Sequence, residues 1–235
     1  MNRNCLKYIA VAAMLCDHIA LAFIGMDRPL GVAMRVIGRL TAPIMCYFLV
    51  EGFMHTRSKK NYAARLFVFA LISQIPFSYF VTGRLFSTKL NMIFTLFFCF
   101  MMLLCLEKIE NRWLRIICGF GVYCLCSYCD WGMVAPLWVM VFAAFREDKK
   151  KLSIFYALVC AFWVIRSTSL AVDGGGMWYE GLWQAGSLGF IPLLHFYNGQ
   201  GGKTSKFSKW FFYWIYPAHI LILAVIFRNV LPYLR

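Results

Sequence analysis

Long apolar runs broken by short polar segments dominate the chain. Crossing a bilayer takes about 20 apolar residues, fewer where neighbours shield the segment. On that measure nine candidate helices appear, at 7–25, 34–55, 63–82, 91–106, 114–129, 131–145, 152–168, 181–197 and 210–230. The fifth and sixth are short and separated only by Asp130-Trp131-Gly132, so they read as a tight hairpin or a partly re-entrant pair. No internal repeat is evident, and no loop is long enough for a soluble domain. The expected fold is all-α, a polytopic transmembrane helical bundle of about nine helices forming one domain over 1–235.

Charge gives these helices a direction. Cytoplasmic loops carry an excess of Lys and Arg. With the N-terminus inside, sixteen of the 24 basic residues fall in inner segments, among them Arg57, Lys59, Lys60, Lys108, Arg146 and the Lys149–Lys151 run. The other eight are Arg28, Arg35, Arg39, Arg84, Lys89, Arg166, Arg228 and Arg235. The first run could pass for an export signal, since Arg3 and Lys7 precede it and Ala20-Leu21-Ala22 mimics a cleavage site. Asp17 and His18 inside it are unsuited to an export core, so it reads as a retained helix.

Composition agrees with a membrane protein: 62% of residues are hydrophobic and 14% charged. The net charge of +14 would suggest nucleic acid in a soluble domain, but topology accounts for it here, and no nucleic-acid partner is expected. Most of the ten cysteines sit in apolar stretches, where Cys packs as a small hydrophobe. Cys118, Cys124, Cys126 and Cys129 cluster without a zinc-like spacing, and no metal is expected. Cys126 and Cys129 lie close enough in sequence for a disulfide near the outer surface.

The ionisable residues inside the spans narrow the chemistry. A charge at mid-bilayer costs about 2.5–3.5 kcal/mol on insertion scales, so it usually faces the bundle interior and serves a function. Asp17 and His18 lie in the first helix, Arg35, Arg39 and Glu51 in the second, and His219 in the ninth. At 1.5 Å rise per residue, His18 lies about 10 Å and Arg39 about 7–8 Å below the outer helix ends. Consecutive residues point about 100° apart, so Asp17 is expected to pair with Arg39 or Arg35 while His18 faces elsewhere. Neutral His is the usual general base near physiological pH. Asn91, Arg166 and Gln184 also collect in the outer half, which suggests a wet cavity, although snorkelling explains Arg166 equally well. Gly199-Gln200-Gly201-Gly202-Lys203 reads as a flexible inner linker rather than a phosphate loop.

Several short motifs in order resemble the TraX family, named for the F-pilin acetylation protein. They are Lys7-Tyr8-Ile9-Ala10 leading to Asp17-His18, and Gly38-Arg39-Leu40-Thr41-Ala42-Pro43-Ile44 leading to Phe48 and Glu51-Gly52. Gln74-Ile75-Pro76-Phe77, Asn91-Met92-Ile93-Phe94-Thr95-Leu96, Asp130-Trp131-Gly132 and Tyr216-Pro217-Ala218-His219 continue the match over nearly the whole chain. The resemblance extends to a wider group of polytopic membrane acetyltransferases. It implies acetyl-CoA as donor and an exported peptide, protein or glycan as acceptor, in the bacterial cytoplasmic membrane.

On that reading His18 is the general base, Arg39 orients Asp17 or stabilises an oxyanion, and His219 is a second acid/base or oxyanion donor. Arg57, Lys59 and Lys60 would attract the anionic donor, with Asn91 and Tyr216 as further donor-binding candidates. Asp130, Trp131, Gln184, Arg166 and Glu51 are the acceptor-binding candidates. Two other classes fit the same charges: a proton-coupled carrier, or an envelope assembly protein in which the charges only hold helices together.

Overall fold

In the computed structural model, residues 1–202 and 206–230 are described, and they are overwhelmingly helical. The helices are α1 (Arg3–Ile19), α2 (Pro29–Gly38), α3 (Thr41–His55), α4 (Lys59–Thr82), α5 (Met92–Lys108), α6 (Arg112–Leu125), α7 (Val134–Ala144), α8 (Lys149–Asp173), α9 (Phe190–Phe196) and α10 (Lys206–Val225). An isolated bridge joins Leu90 and Cys129. Among the described residues, five stretches are long and apolar enough to cross a membrane: Arg3–Ile24, Pro29–His55, Lys59–Thr82, Lys149–Asp173 and Trp210–Asn229. The protein is an all-α, polytopic membrane protein. Lys203, with which the expected inner linker ends, and Arg235 lie outside the described residues.

Three segments depart from the runs read off the sequence. The 34–55 run begins earlier, at Pro29, and breaks at Arg39-Leu40 into α2 and α3. Pro43 has no N–H, so the carbonyl four residues earlier, that of Arg39, cannot receive its helical hydrogen bond. The 181–197 run is mostly a 3-10 helix, Trp178–Gly189, followed by the short α9. Of the two short runs, α7 has 11 residues and so spans only about 16 Å. All ten cysteines are free thiols, including Cys126 and Cys129.

The chain forms two compact units. The first combines Met1–Met45 with the chain from Met140 to residue 202. Its helix ends follow local rules. Asn2 caps α1 by accepting the Cys5 N–H at 3.0 Å. Asp148 caps α8 through the Lys150 and Lys151 amides, at 3.1 and 3.0 Å. Those amide bonds hold the Asp148 carboxyl below its usual range. Lys149 Nζ donates to the Leu194 and Tyr197 carbonyls at 3.2 and 2.9 Å, covering the open C-terminal end of α9. Phe142, Tyr156 and Phe190 are fully buried and meet at centroid distances of 5.4–5.5 Å.

The second unit combines Cys46–Val139 with residues 206–230. Asn91 is fully buried at the start of α5. Its carboxamide oxygen accepts the Ile93 N–H at 2.9 Å, and its Nδ2 donates to the Ala70 carbonyl at 2.8 Å and to Gln74 Oε1 at 2.9 Å. Gln74 in turn donates to the Lys89 carbonyl at 2.8 Å. This network locks α5 onto α4 with polar bonds, which matter where lipid supplies no hydrophobic drive between helices. Arg228 donates to the Phe80 and Val81 carbonyls at 3.1 and 3.0 Å, closing the C-terminal end of α4. Replacing Asn91 with Ala removes a helix cap and leaves Gln74 short of a partner. Asn91→Ala is expected to cost about 1–2 kcal/mol. Reversible denaturation in mixed micelles measures that loss, and an unshifted midpoint would contradict the role given to Asn91.

Candidate functional site

Asp17 lies in the last turn of α1 and is 7% exposed. Arg35 lies in the last turn of α2 and Arg39 caps it. Residues four apart share a helix face, so both guanidiniums reach the same carboxylate. Arg35 Nη1 donates to Asp17 Oδ2 at 2.9 Å. Arg39 Nη2 donates to Oδ1 and Oδ2, both at 2.8 Å. The expectation that Asp17 pairs with Arg39 or Arg35 is met by both at once.

Two neighbouring features shape the cluster. A Cβ on Gly38 would overlap the Asp17 side chain, so only glycine lets α2 approach α1 this closely. Thr41 Oγ1 donates to the Ala10 carbonyl at 3.1 Å and ties the start of α3 to α1. Trp183, from the 3-10 helix, places its ring centre 4.4 Å from the guanidinium carbons of both Arg35 and Arg39. One carboxylate thus faces two guanidiniums, and the group keeps one positive charge. Arg39 Nε is buried with no acceptor among the described residues. The cluster therefore holds donor capacity beyond what Asp17 takes up, a property suited to stabilising developing negative charge. His18 is the next residue on α1 and half-buried.

The other candidate residues are spread through both units. In the second unit, Tyr216 and His219 are buried on α10, their ring centroids 5.7 Å apart. His219 Nδ1 lies 2.6 Å from the Ile215 carbonyl, which favours the proton on that nitrogen. Asp130 pairs with Lys89 at 3.7 Å, and Trp131 is half-buried beside it in the turn before α7. Glu51 is half-buried on α3. Lys59 pairs with the Glu107 carboxylate and sits over the Phe53 ring at 4.1 Å, while Arg57 and Lys60 are exposed. In the first unit, Arg166 is exposed on α8 and Gln184 is half-buried on the 3-10 helix.

Sequence reasoning missed Trp183 and the packing role of Gly38. Trp183, Gly186 and Gly189 recur every three residues, and that spacing was the available signal. Removing Asp17 strands two guanidiniums, whereas removing Arg39 leaves Arg35 still paired. Asp17→Asn is expected to cost about 3 kcal/mol and Arg39→Gln distinctly less. Denaturation midpoints of the two variants check the order, and equal losses would contradict the two-to-one pairing.

A family model described as TraX protein matches residues 2–227. The chain is also similar to "Probable fimbrial assembly protein FimC, serogroup H1" of Dichelobacter nodosus. The two are 31% identical over 240 residues, covering 93% of this chain and 93% of that relative. No solved structure matches. The cluster sits within the motifs that carried the resemblance, Asp17-His18 and Gly38-Arg39, and the match runs nearly end to end: the chain belongs to the TraX family.

Proposed function

We propose that this protein is a membrane-embedded acyltransferase that moves an acetyl or other acyl group from cytoplasmic acyl-CoA to an amine or hydroxyl of an exported acceptor. The observation that carries this reading is the Asp17–Arg35–Arg39 cluster with its open Arg39 Nε, set beside His18 in a TraX-family chain. A buried ion pair between one acid and one base would fix two helices equally well. Two guanidiniums gathered on one carboxylate, with Arg39 Nε open among the described residues, offer donors to an anion formed during reaction.

In this mechanism the acceptor nitrogen or oxygen attacks the thioester carbonyl, the carbon–sulfur bond breaks, and the thiol leaves with the proton. His18 takes the acceptor's proton as general base and hands it to the departing sulfur as general acid. Arg39 stabilises the oxyanion of the tetrahedral intermediate, and Asp17 holds both arginines in place. Arg57 and Lys60 suit long-range attraction of an anionic donor, since both are exposed and uncommitted to the ion pair that Lys59 makes. His219 and Tyr216 stand as a second candidate group for proton transfer and donor binding. The N-terminus would face the cytoplasm and the protein would occupy the bacterial cytoplasmic membrane, in line with the basic inner loops.

The relative's name favours a second reading, an assembly role in the envelope without chemistry. The same name supports a fimbrial subunit as the acceptor under the first reading. The test uses purified full-length protein in proteoliposomes with labelled acetyl-CoA, alongside mass spectrometry of exported proteins and glycans from a deletion strain and its parent. Acetyl transfer, an acetyl mass increment lost in the deletion strain, and at least about a 100-fold fall in turnover for His18→Ala are expected. Unchanged exported masses would favour the assembly role, substrate flux without acetyl-CoA would favour a carrier, and full activity of His18→Ala would remove His18 from its place.

A further inference from the structure

The segment Trp178–Gly189 is a 3-10 helix of 12 residues, whereas runs of this kind rarely exceed three or four. A 3-10 helix has three residues per turn, so residues three apart stack in straight rows. One row is Gly181, Gln184 and Ser187, and it faces α8. A Cβ on Gly181 would strike the Thr168 backbone, and the Ser187 carbonyl accepts the Tyr156 hydroxyl at 2.7 Å. A second row is Trp183, Gly186 and Gly189, and it faces α2 and the turn after it. A Cβ on Gly186 would strike the Val36 carbonyl, and one on Gly189 would come within 2.9 Å of Leu40. The third row points outward, with Leu182 and Leu188 exposed. An α-helix would drift by 60° every three residues and break each row. The two glycine-bearing contacts therefore explain why this segment keeps the 3-10 form, and that form sets Trp183 against Arg35 and Arg39.

We propose that Trp183 is a positioning residue of the reaction centre, holding Arg35 and Arg39 against its ring so that the charge left over by Asp17 stays directed at the reacting group. The ring attracts both cations and covers them from water, which strengthens their field. The assignment to a reaction centre rests on the acyl-transfer reading above; the hold on the arginines rests on the geometry alone.

The experiment has one arm that needs no activity. Full-length protein in micelles is treated with phenylglyoxal, which modifies exposed guanidiniums, and labelling of Arg35 and Arg39 is followed by peptide mass spectrometry. The variants are Trp183→Leu and Trp183→Met, which keep apolar bulk without a ring, and Trp183→Phe, which keeps a smaller ring. The ringless variants are expected to label at least about tenfold faster, and Trp183→Phe to lie between them and the parent. In the activity arm, the ringless variants are expected to lose about tenfold in kcat with little change in KM for acetyl-CoA, and Trp183→Phe to recover much of that loss. Unchanged labelling overturns the proposal, as does faster labelling with unchanged kcat in an active parent. Faster labelling with a parent that transfers no acetyl group upholds the hold on the arginines and sinks the acyl-transfer reading instead. If neither ringless variant folds, Trp183→Phe decides the matter, with unchanged labelling again overturning the proposal.

Discussion

One carboxylate set between two guanidiniums is the constraint around which the first unit is arranged. Charge inside a membrane is costly, and a matched pair limits that cost. Asp17 with Arg35 and Arg39 is not matched. The geometry shares the acid between both bases, with bonds of 2.8–2.9 Å, and a net positive charge remains. Trp183 adds a neutral attraction that costs no further charge. The cluster is thus held from two sides, by the acid on α1 and by the ring on the 3-10 helix.

Much of the surrounding backbone can be read as a consequence. Asp17 can reach both arginines only if α2 approaches closely, which requires glycine at position 38. Arg39 closes α2, and Pro43 withholds the donor its carbonyl would need in a continuous helix, so the guanidinium sits at a helix end. Trp183 reaches the cluster because Gly186 permits contact with the Val36 carbonyl on the same face of the 3-10 helix. These are small-residue contacts of the kind that replace hydrophobic drive when the solvent is lipid.

The helices, the membrane character and the family were legible in the sequence, because apolar run length and short ordered motifs are local properties. The Asp17 pairing was legible in part. Depth along two helices follows from a fixed rise per residue, but the choice between Arg35 and Arg39 depends on side-chain reach across the gap, and the answer was both. The break at Arg39-Leu40 was not legible from Pro43 alone, because Pro76 and Pro217 also lack an N–H and lie inside continuous helices. Trp183 was hidden for another reason. Its contact joins distant parts of the chain, and its segment looks like an ordinary apolar helix unless the glycines are read at a period of three. Similarly, Asn91 stood out as polar punctuation, yet its use as a cap and a bridge to α4 appears only when Ala70 and Gln74 are placed beside it.

Under the proposed acyl transfer, these charges are kept for chemistry and not merely to hold helices together. The double variant Asp17→Asn, Arg39→Gln tests it most directly, because it removes one charge of each sign and leaves the net charge of the cluster unchanged. Its denaturation midpoint and its rate of labelled acetyl transfer would be measured side by side with those of Asp17→Asn. The double variant is expected to regain much of the stability lost in Asp17→Asn while acetyl transfer stays abolished. A double variant that folds and transfers acetyl groups at the parent rate would contradict that role of the charges.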